Sequence, residues 1–176
     1  MKIHDKEFEE FISSYDIENK VEEMATSINR EFEFGPPPVF IGVLDGSFRV
    51  IADLTYHVGI EAEWSFIKVS SYEGTESTGK IKELVGLNTD IKGKVVIIVE
   101  DIIDTGLTID FVIQELRKHD PDEIRIMTLL IKPDAYKGKY EIDYIGFSIT
   151  NDFVVGYGLD YDGYGRGAND IYKLKK

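Results

Sequence analysis

The chain of 176 residues contains no cysteine. That excludes a disulfide scaffold and a thiol nucleophile, and it fits a reducing compartment. Its only histidines, His4, His57 and His119, are scattered without ligand spacing and read as structural or surface positions. No apolar run approaches the ~18 residues that a membrane span needs. The N-terminal stretch MKIHDKEFEEF has neither an apolar signal core nor Arg-rich amphipathic character, so a cytoplasmic protein without a membrane partner is expected. Basic residues are scarce as well: 20 Lys and Arg against 33 Asp and Glu leave a net charge of −13. Binding to a nucleic-acid backbone rests on clustered Lys and Arg, so no nucleic-acid partner is expected. A small polyanion stays open, because a few local donors and a Mg²⁺ suffice to neutralise it.

Neither an internal repeat nor an interdomain linker is present. With 43% hydrophobic and 30% charged residues the composition is that of a globular protein, and residues 1–176 read as one domain able to bury a substantial core. Phe8, Phe11, Ile12 and Tyr15 have helical spacing, as do Ile17, Val21, Met24 and Ile28, so two N-terminal helices are expected before the stop at Gly35-Pro36-Pro37-Pro38. A buried strand from Val39 to Leu44 breaks at Asp45-Gly46-Ser47 ahead of a helix with Val50, Ile51 and Leu54. Further strands are read at Trp64 to Ser70, Leu84 to Val85, Ile124 to Ile131, Ile142 to Ile149 and Phe153 to Val155. The segment Tyr72 to Lys80 is small and polar and reads as mobile, while the Gly- and Tyr-rich tail from Gly156 to Gly167 reads as ordered. Alternating strands and helices imply a parallel sheet covered on both faces, with the site at the strands' C-terminal ends.

The most informative segment is VVIIVEDIIDTGLT, Val95 to Thr108. An uninterrupted β-branched run ends on Glu100 and Asp101. Asp104 and the turn Thr105-Gly106-Leu107-Thr108 follow, and Ile109, Val112, Ile113 and Leu116 then recur at helical spacing. A buried strand thus enters a Gly- and Thr-bearing turn that opens a helix. Such a turn holds phosphate through backbone N–H groups, hydroxyls and the positive end of the helix dipole. The neighbouring acids suit ribose hydroxyls or Mg²⁺ instead.

This string resembles the phosphoribosyl-pyrophosphate (PRPP) signature of the type I phosphoribosyltransferases. Glu-Asp-Ile-Ile-Asp-Thr-Gly resembles the branch that uses 6-oxopurines, the hypoxanthine(-guanine) phosphoribosyltransferases. Three further segments match in family order, over roughly Val39 to Tyr172. The resemblance implies a type I phosphoribosyltransferase fold: a parallel-rich α/β sheet flanked by helices, a small hood from residues near 1–15 and 150–176, and a mobile loop at 72–82. It implies Mg²⁺-dependent purine salvage, from PRPP and hypoxanthine or guanine to the nucleotide and pyrophosphate, in a homodimer or homotetramer.

The resemblance also implies roles for individual residues. Thr105, Gly106, Leu107 and Thr108 would hold the 5′-phosphate; the family often has Lys in place of Leu107, where the contact is mainly backbone. Glu100 and Asp101 would hold the ribose hydroxyls, with or without Mg²⁺. Asp104 would accept the proton of the purine N7, the reading favoured over a helix cap, which is also a sound use of an Asp there. Phe40-Ile-Gly-Val-Leu-Asp-Gly-Ser-Phe48 resembles the pyrophosphate loop, often entered through a non-proline cis peptide, here Leu44–Asp45. Many relatives have Lys at the place of Asp45, so only the backbone N–H groups of Asp45 and Gly46 carry over. Ser71 and Tyr72 begin the segment that resembles a closing lid, which a polar hairpin loop would equally explain. Lys132, ending Leu129-Leu-Ile-Lys-Pro133, would donate to the purine O6, or else snorkel to solvent. In Asn151 to Tyr161, Phe153 would stack on the base, Val154 would meet its edge and Asp160 would bind Mg²⁺; Arg166 would add a pyrophosphate contact.

Two other classes fit less well. A PRPP-sensing nucleic-acid regulator on the same fold needs a basic face, which a net charge of −13 without a Lys/Arg cluster does not supply. A Rossmann-type enzyme needs Gly-x-Gly-x-x-Gly after the first strand, and Val39 to Ser47 lacks it.

Overall fold

A computed structural model describes residues 1–71 and 81–175, with backbone alone at 70, 71 and 81–85. The β-branched run forms β6 (Val95–Ile103) at the middle of a six-stranded sheet. On one side lie β3 (Val39–Leu44), β4 (Glu63–Ser71) and β5 (Ile81–Val85), and on the other β7 (Glu123–Ile131) and β8 (Tyr144–Ser148). The order is β5-β4-β3-β6-β7-β8, parallel throughout except for the antiparallel β4–β5 pair.

Strand β6 is apolar on both faces because the sheet is covered on both. Val95, Ile97 and Val99 pack on the side of α1 (Ser14–Phe32) and α2 (Phe48–His57). Val96, Ile98 and Ile103 pack on the opposite side with Ile109, Val112, Ile113 and Leu116 of α3 (Leu107–Arg117). Each fully buried Val or Ile is worth about 1.5–3 kcal/mol, so this strand anchors the residues at its end. Ser13 caps α1, its hydroxyl accepting from the Asp16 N–H at 3.2 Å.

The N-terminus differs from expectation. Instead of two helices there is one, preceded by β1 (Lys2–Ile3) and β2 (Lys6–Ile12). Phe8 and Ile12 are both buried, but a spacing of four residues puts side chains on one face in a strand as well as in a helix. The choice is made by β10 (Ile171–Leu174), which pairs with β2 through Leu174↔Phe8 and Ile171↔Ile12. With β9 (Val154–Val155) these strands form a second, antiparallel sheet of order β1-β2-β10-β9, built from the two ends of the chain. Strand β8 is shorter than the expected Ile142 to Ile149, and Phe153 precedes β9 rather than opening it.

Candidate active site

The C-terminal ends of β3, β6 and β7 face one region, which the chain's tail also reaches. Strand β3 ends in a cis peptide between Leu44 and Asp45, the bond named from the sequence. Gly46 follows, and its α-carbon lies against Asp101: a Cβ there would sit 1.7 Å from Asp101 Oδ2. Gly158 in the tail, with φ of +101°, packs on Gly46 in turn, and a Cβ on it would lie 2.1 Å from the Gly46 carbonyl oxygen. Two glycines thus let the loop after β3, the end of β6 and the tail come together.

Between these segments lies a cavity of about 390 Å³, lined among others by Asp45, Gly46, Glu100, Asp101, Asp160 and Arg166. Beside it a smaller one of about 90 Å³ is enclosed by Glu100 and the turn into α3. Gly106 is the N-cap of α3 with φ of 88°, a left-handed conformation that glycine adopts freely, and the Tyr136 ring covers it where a side chain would project. The first N–H of α3 to reach back is that of Asp110, to Gly106 O at 2.9 Å. The N–H groups of Leu107, Thr108 and Ile109 before it have no intrahelical partner, the arrangement that receives an anion.

Asp104 does not cap the helix. Its Oδ2 accepts from Lys132 Nζ at 2.7 Å, with Asp104 half-exposed and Lys132 buried. The Lys132 N–H also donates to Ile103 O at 3.0 Å, so the ends of β6 and β7 hold the two side chains together. Lys132 therefore does not snorkel to solvent.

Glu100 is buried, and burial together with Asp101 beside it pushes its carboxyl well above the usual range. Burial also raises Asp101, to about 6, against the opposing backbone N–H of Ile102. Asp160 pairs with Arg166 at 2.8 Å and accepts from the Gly163 N–H at 2.7 Å, while Arg166 donates to Gly158 O at 2.6 Å. Two residues given separate roles from the sequence, one toward Mg²⁺ and one toward pyrophosphate, thus bind each other here.

Among the described residues no three acids converge into an all-protein metal cage. Asp101 and Asp160 nonetheless open onto one cavity, and Mg²⁺ characteristically takes only one or two carboxylates, completing its octahedron with water and substrate phosphate. The donor set fits such a shared ion.

Phe153 is 40% exposed and belongs to an aromatic group in the second sheet: its centroid is 5.8 Å from Tyr161 and 6.2 Å from Phe8, with Lys6 Nζ 5.3 Å away. Val154 is buried in β9. Ser71 ends β4, and Tyr72 lies outside the described residues. Sequence reasoning missed Lys68, whose Nζ donates to both carboxylate oxygens of Asp45 at 2.8 and 2.7 Å. The signal was available in principle, since parallel pairing of β3 and β4 sets Lys68 opposite Leu44. It also missed Gly158 and Tyr136, whose importance rests on contacts distant in sequence.

The phosphoribosyl transferase domain family matches residues 11–162. The hypoxanthine-guanine phosphoribosyltransferase of Lactococcus lactis is 41% identical over 152 residues, covering 86% of this chain and 82% of its own. That of Bacillus subtilis is 40% identical, covering 85% and 83%. A crystal structure of a Bacillus anthracis hypoxanthine-guanine phosphoribosyltransferase superposes with a TM-score of 0.89 at 41% identity, covering 95% of this chain and 98% of that one. The anion-ready turn after β6, the acids on one cavity and these likenesses over most of the chain lead to one assignment: the chain belongs to the phosphoribosyltransferase family, among the hypoxanthine-guanine phosphoribosyltransferases.

Proposed function

We propose that this chain transfers the phosphoribosyl group of PRPP to hypoxanthine, and to guanine, releasing pyrophosphate in a Mg²⁺-dependent step of purine salvage. The bond between the anomeric carbon and the pyrophosphate oxygen breaks as a purine nitrogen forms the new bond, through an oxocarbenium-like transition state. The free N–H groups of Leu107, Thr108 and Ile109 and the Thr105 and Thr108 hydroxyls hold the 5′-phosphate. Glu100 and Asp101 face the ribose hydroxyls. Asp104 accepts the N7 proton as the purine acquires positive charge, in the manner of a general base. Lys132 donates to O6, which selects a 6-oxopurine over a 6-aminopurine, while Phe153 stacks on the ring and Val154 meets its edge through the backbone. The backbone of Asp45 and Gly46, with Arg166, receives the pyrophosphate. Ser71 and Tyr72 begin a lid that excludes water. Mg²⁺, held by Asp160 with Glu100 and Asp101 nearby, would neutralise the leaving pyrophosphate.

The observation behind this reading is the Asp104–Lys132 pair beside the anion-ready turn: an acceptor and a donor for the two edges of a 6-oxopurine. The test is an assay of the purified protein with PRPP, Mg²⁺ and, separately, hypoxanthine, guanine, xanthine, adenine and uracil. Turnover with the first two, abolished by a chelator, is expected. Adenine used as well as hypoxanthine would overturn the assignment. We further propose a cytoplasmic homodimer or homotetramer, measurable by light scattering; no helix among the described residues is long and apolar enough to cross a membrane.

A further inference from the structure

The larger cavity poses an electrostatic problem. Asp45, Glu100, Asp101 and Asp160 all line it, and Arg166 is the one cation among its described lining residues. A site for a pyrophosphate ester cannot keep that many uncompensated negative charges. Mg²⁺ would offset the acids turned toward it, and Arg166 pairs with Asp160 at 2.8 Å. Asp45 lies at the lip, exposed, next to the backbone that meets the leaving group. Its compensation comes from outside the lining: Lys68, carried by β4 opposite Leu44, binds both carboxylate oxygens.

The contribution of this ion pair to folding is small. Both side chains are partly exposed, at 33% and 47%, and exposed pairs are typically worth only ~0–1 kcal/mol. The chelating geometry instead draws the Asp45 carboxylate toward β4 and cancels its charge beside the path of a polyanion. We infer that Lys68 is a positioning residue for PRPP and pyrophosphate: by pairing with Asp45 it removes the one acid at the loop that would repel them, leaving the backbone of Asp45 and Gly46 usable. This role rests on the PRPP reading above. Lys68 acts through Asp45 and need not touch substrate.

The experiment compares wild type, Lys68→Met and the double variant Asp45→Asn/Lys68→Met, in the forward reaction and in pyrophosphorolysis. Activity of the wild type with PRPP establishes the underlying reading first, and its absence would remove that reading rather than this one. Lys68→Met is expected to raise KM for PRPP and for pyrophosphate by roughly tenfold, the scale of one uncompensated charge near an anion. KM for hypoxanthine should stay within about twofold, and the effect on PRPP should shrink as salt rises, because the charges are near the surface. The double variant, with no carboxylate left to shield, should return both KM values close to wild type. A Lys68 that only supported the fold would give no such rescue, and melting temperatures of all three proteins check that point. Unchanged KM for PRPP in Lys68→Met, or a double variant as impaired as the single one, would overturn the inference; the second result would make Lys68 itself a polyphosphate ligand.

Discussion

Lys132 Nζ lies 2.7 Å from Asp104 Oδ2, joining side chains 28 residues apart at the ends of two adjacent parallel strands. The lysine is buried, and the half-exposed carboxylate lines the smaller cavity. A planar 6-oxopurine presents an acceptor and a proton at neighbouring edges, and this pair presents the complementary donor and acceptor.

Asp104→Asn should lower kcat by ~10²-fold or more, the usual range for losing a general base. The fold should survive, because Gly106 occupies the N-cap and the Asn oxygen can still accept from Lys132. Steady-state kinetics with a melting curve check both halves. A kcat near wild type would leave Asp104 without a part in proton transfer.

Lys132→Ala should raise KM for hypoxanthine more than tenfold and leave KM for PRPP nearly constant. A hydrogen bond from a charged donor is worth ~1.5–3 kcal/mol, and on the proposed reading the donor that pairs with Asp104 here meets the base rather than PRPP. Loss of PRPP affinity instead would make Lys132 a phosphate ligand.

Gly46→Val should damage kcat/KM for PRPP far more than Asp45→Lys. Even a Cβ at position 46 would collide with the carboxylate of Asp101, whose backbone is held in β6. At position 45 the side chain already points to Lys68, so exchanging it alters charge rather than packing. The reverse order of damage would mean that the Asp45 carboxylate itself acts on the leaving group.

Acid stability should depend on Glu31. Arg125 and the Tyr144 hydroxyl donate to it, joining α1 to β7 and β8, and hold its carboxyl below the usual range. A depressed folded-state pKa stabilises above the unfolded value, near 4.5, and that stability is lost as pH falls through the lower folded value. The melting temperature should therefore drop on acidification below about pH 4.5, and less steeply in Glu31→Gln. Parallel curves for the two proteins would show that the interaction is not linked to folding; its part-exposed position keeps the expected difference small.

Much of this protein follows from local pattern. The β-branched run Val95 to Val99 reads as a strand covered on both faces, as it is, and Gly106 supplies the positive φ that the turn into α3 requires. Strand, turn and helix are contiguous, so the anion-ready turn was legible in the order of residue types. The resemblance turned Asp104 of that string and Lys132 of a separate segment toward the purine, and the structure pairs the two side chains. Other features depend on partners that local pattern does not name. Phe8 and Ile12 satisfy two periodicities at once, and pairing with β10 from the opposite end of the chain makes their segment a strand. Asp45 looks in isolation like a departure that leaves an acid facing a polyanion, until the parallel register of β3 and β4 brings Lys68 to it. Gly46 and Gly158 look like ordinary loop glycines, yet each is required by a backbone or carboxylate packed against its α-carbon. Side-chain periodicity decides which face of an element is buried, but which element covers it, and which charge meets which, is decided only when distant segments pack.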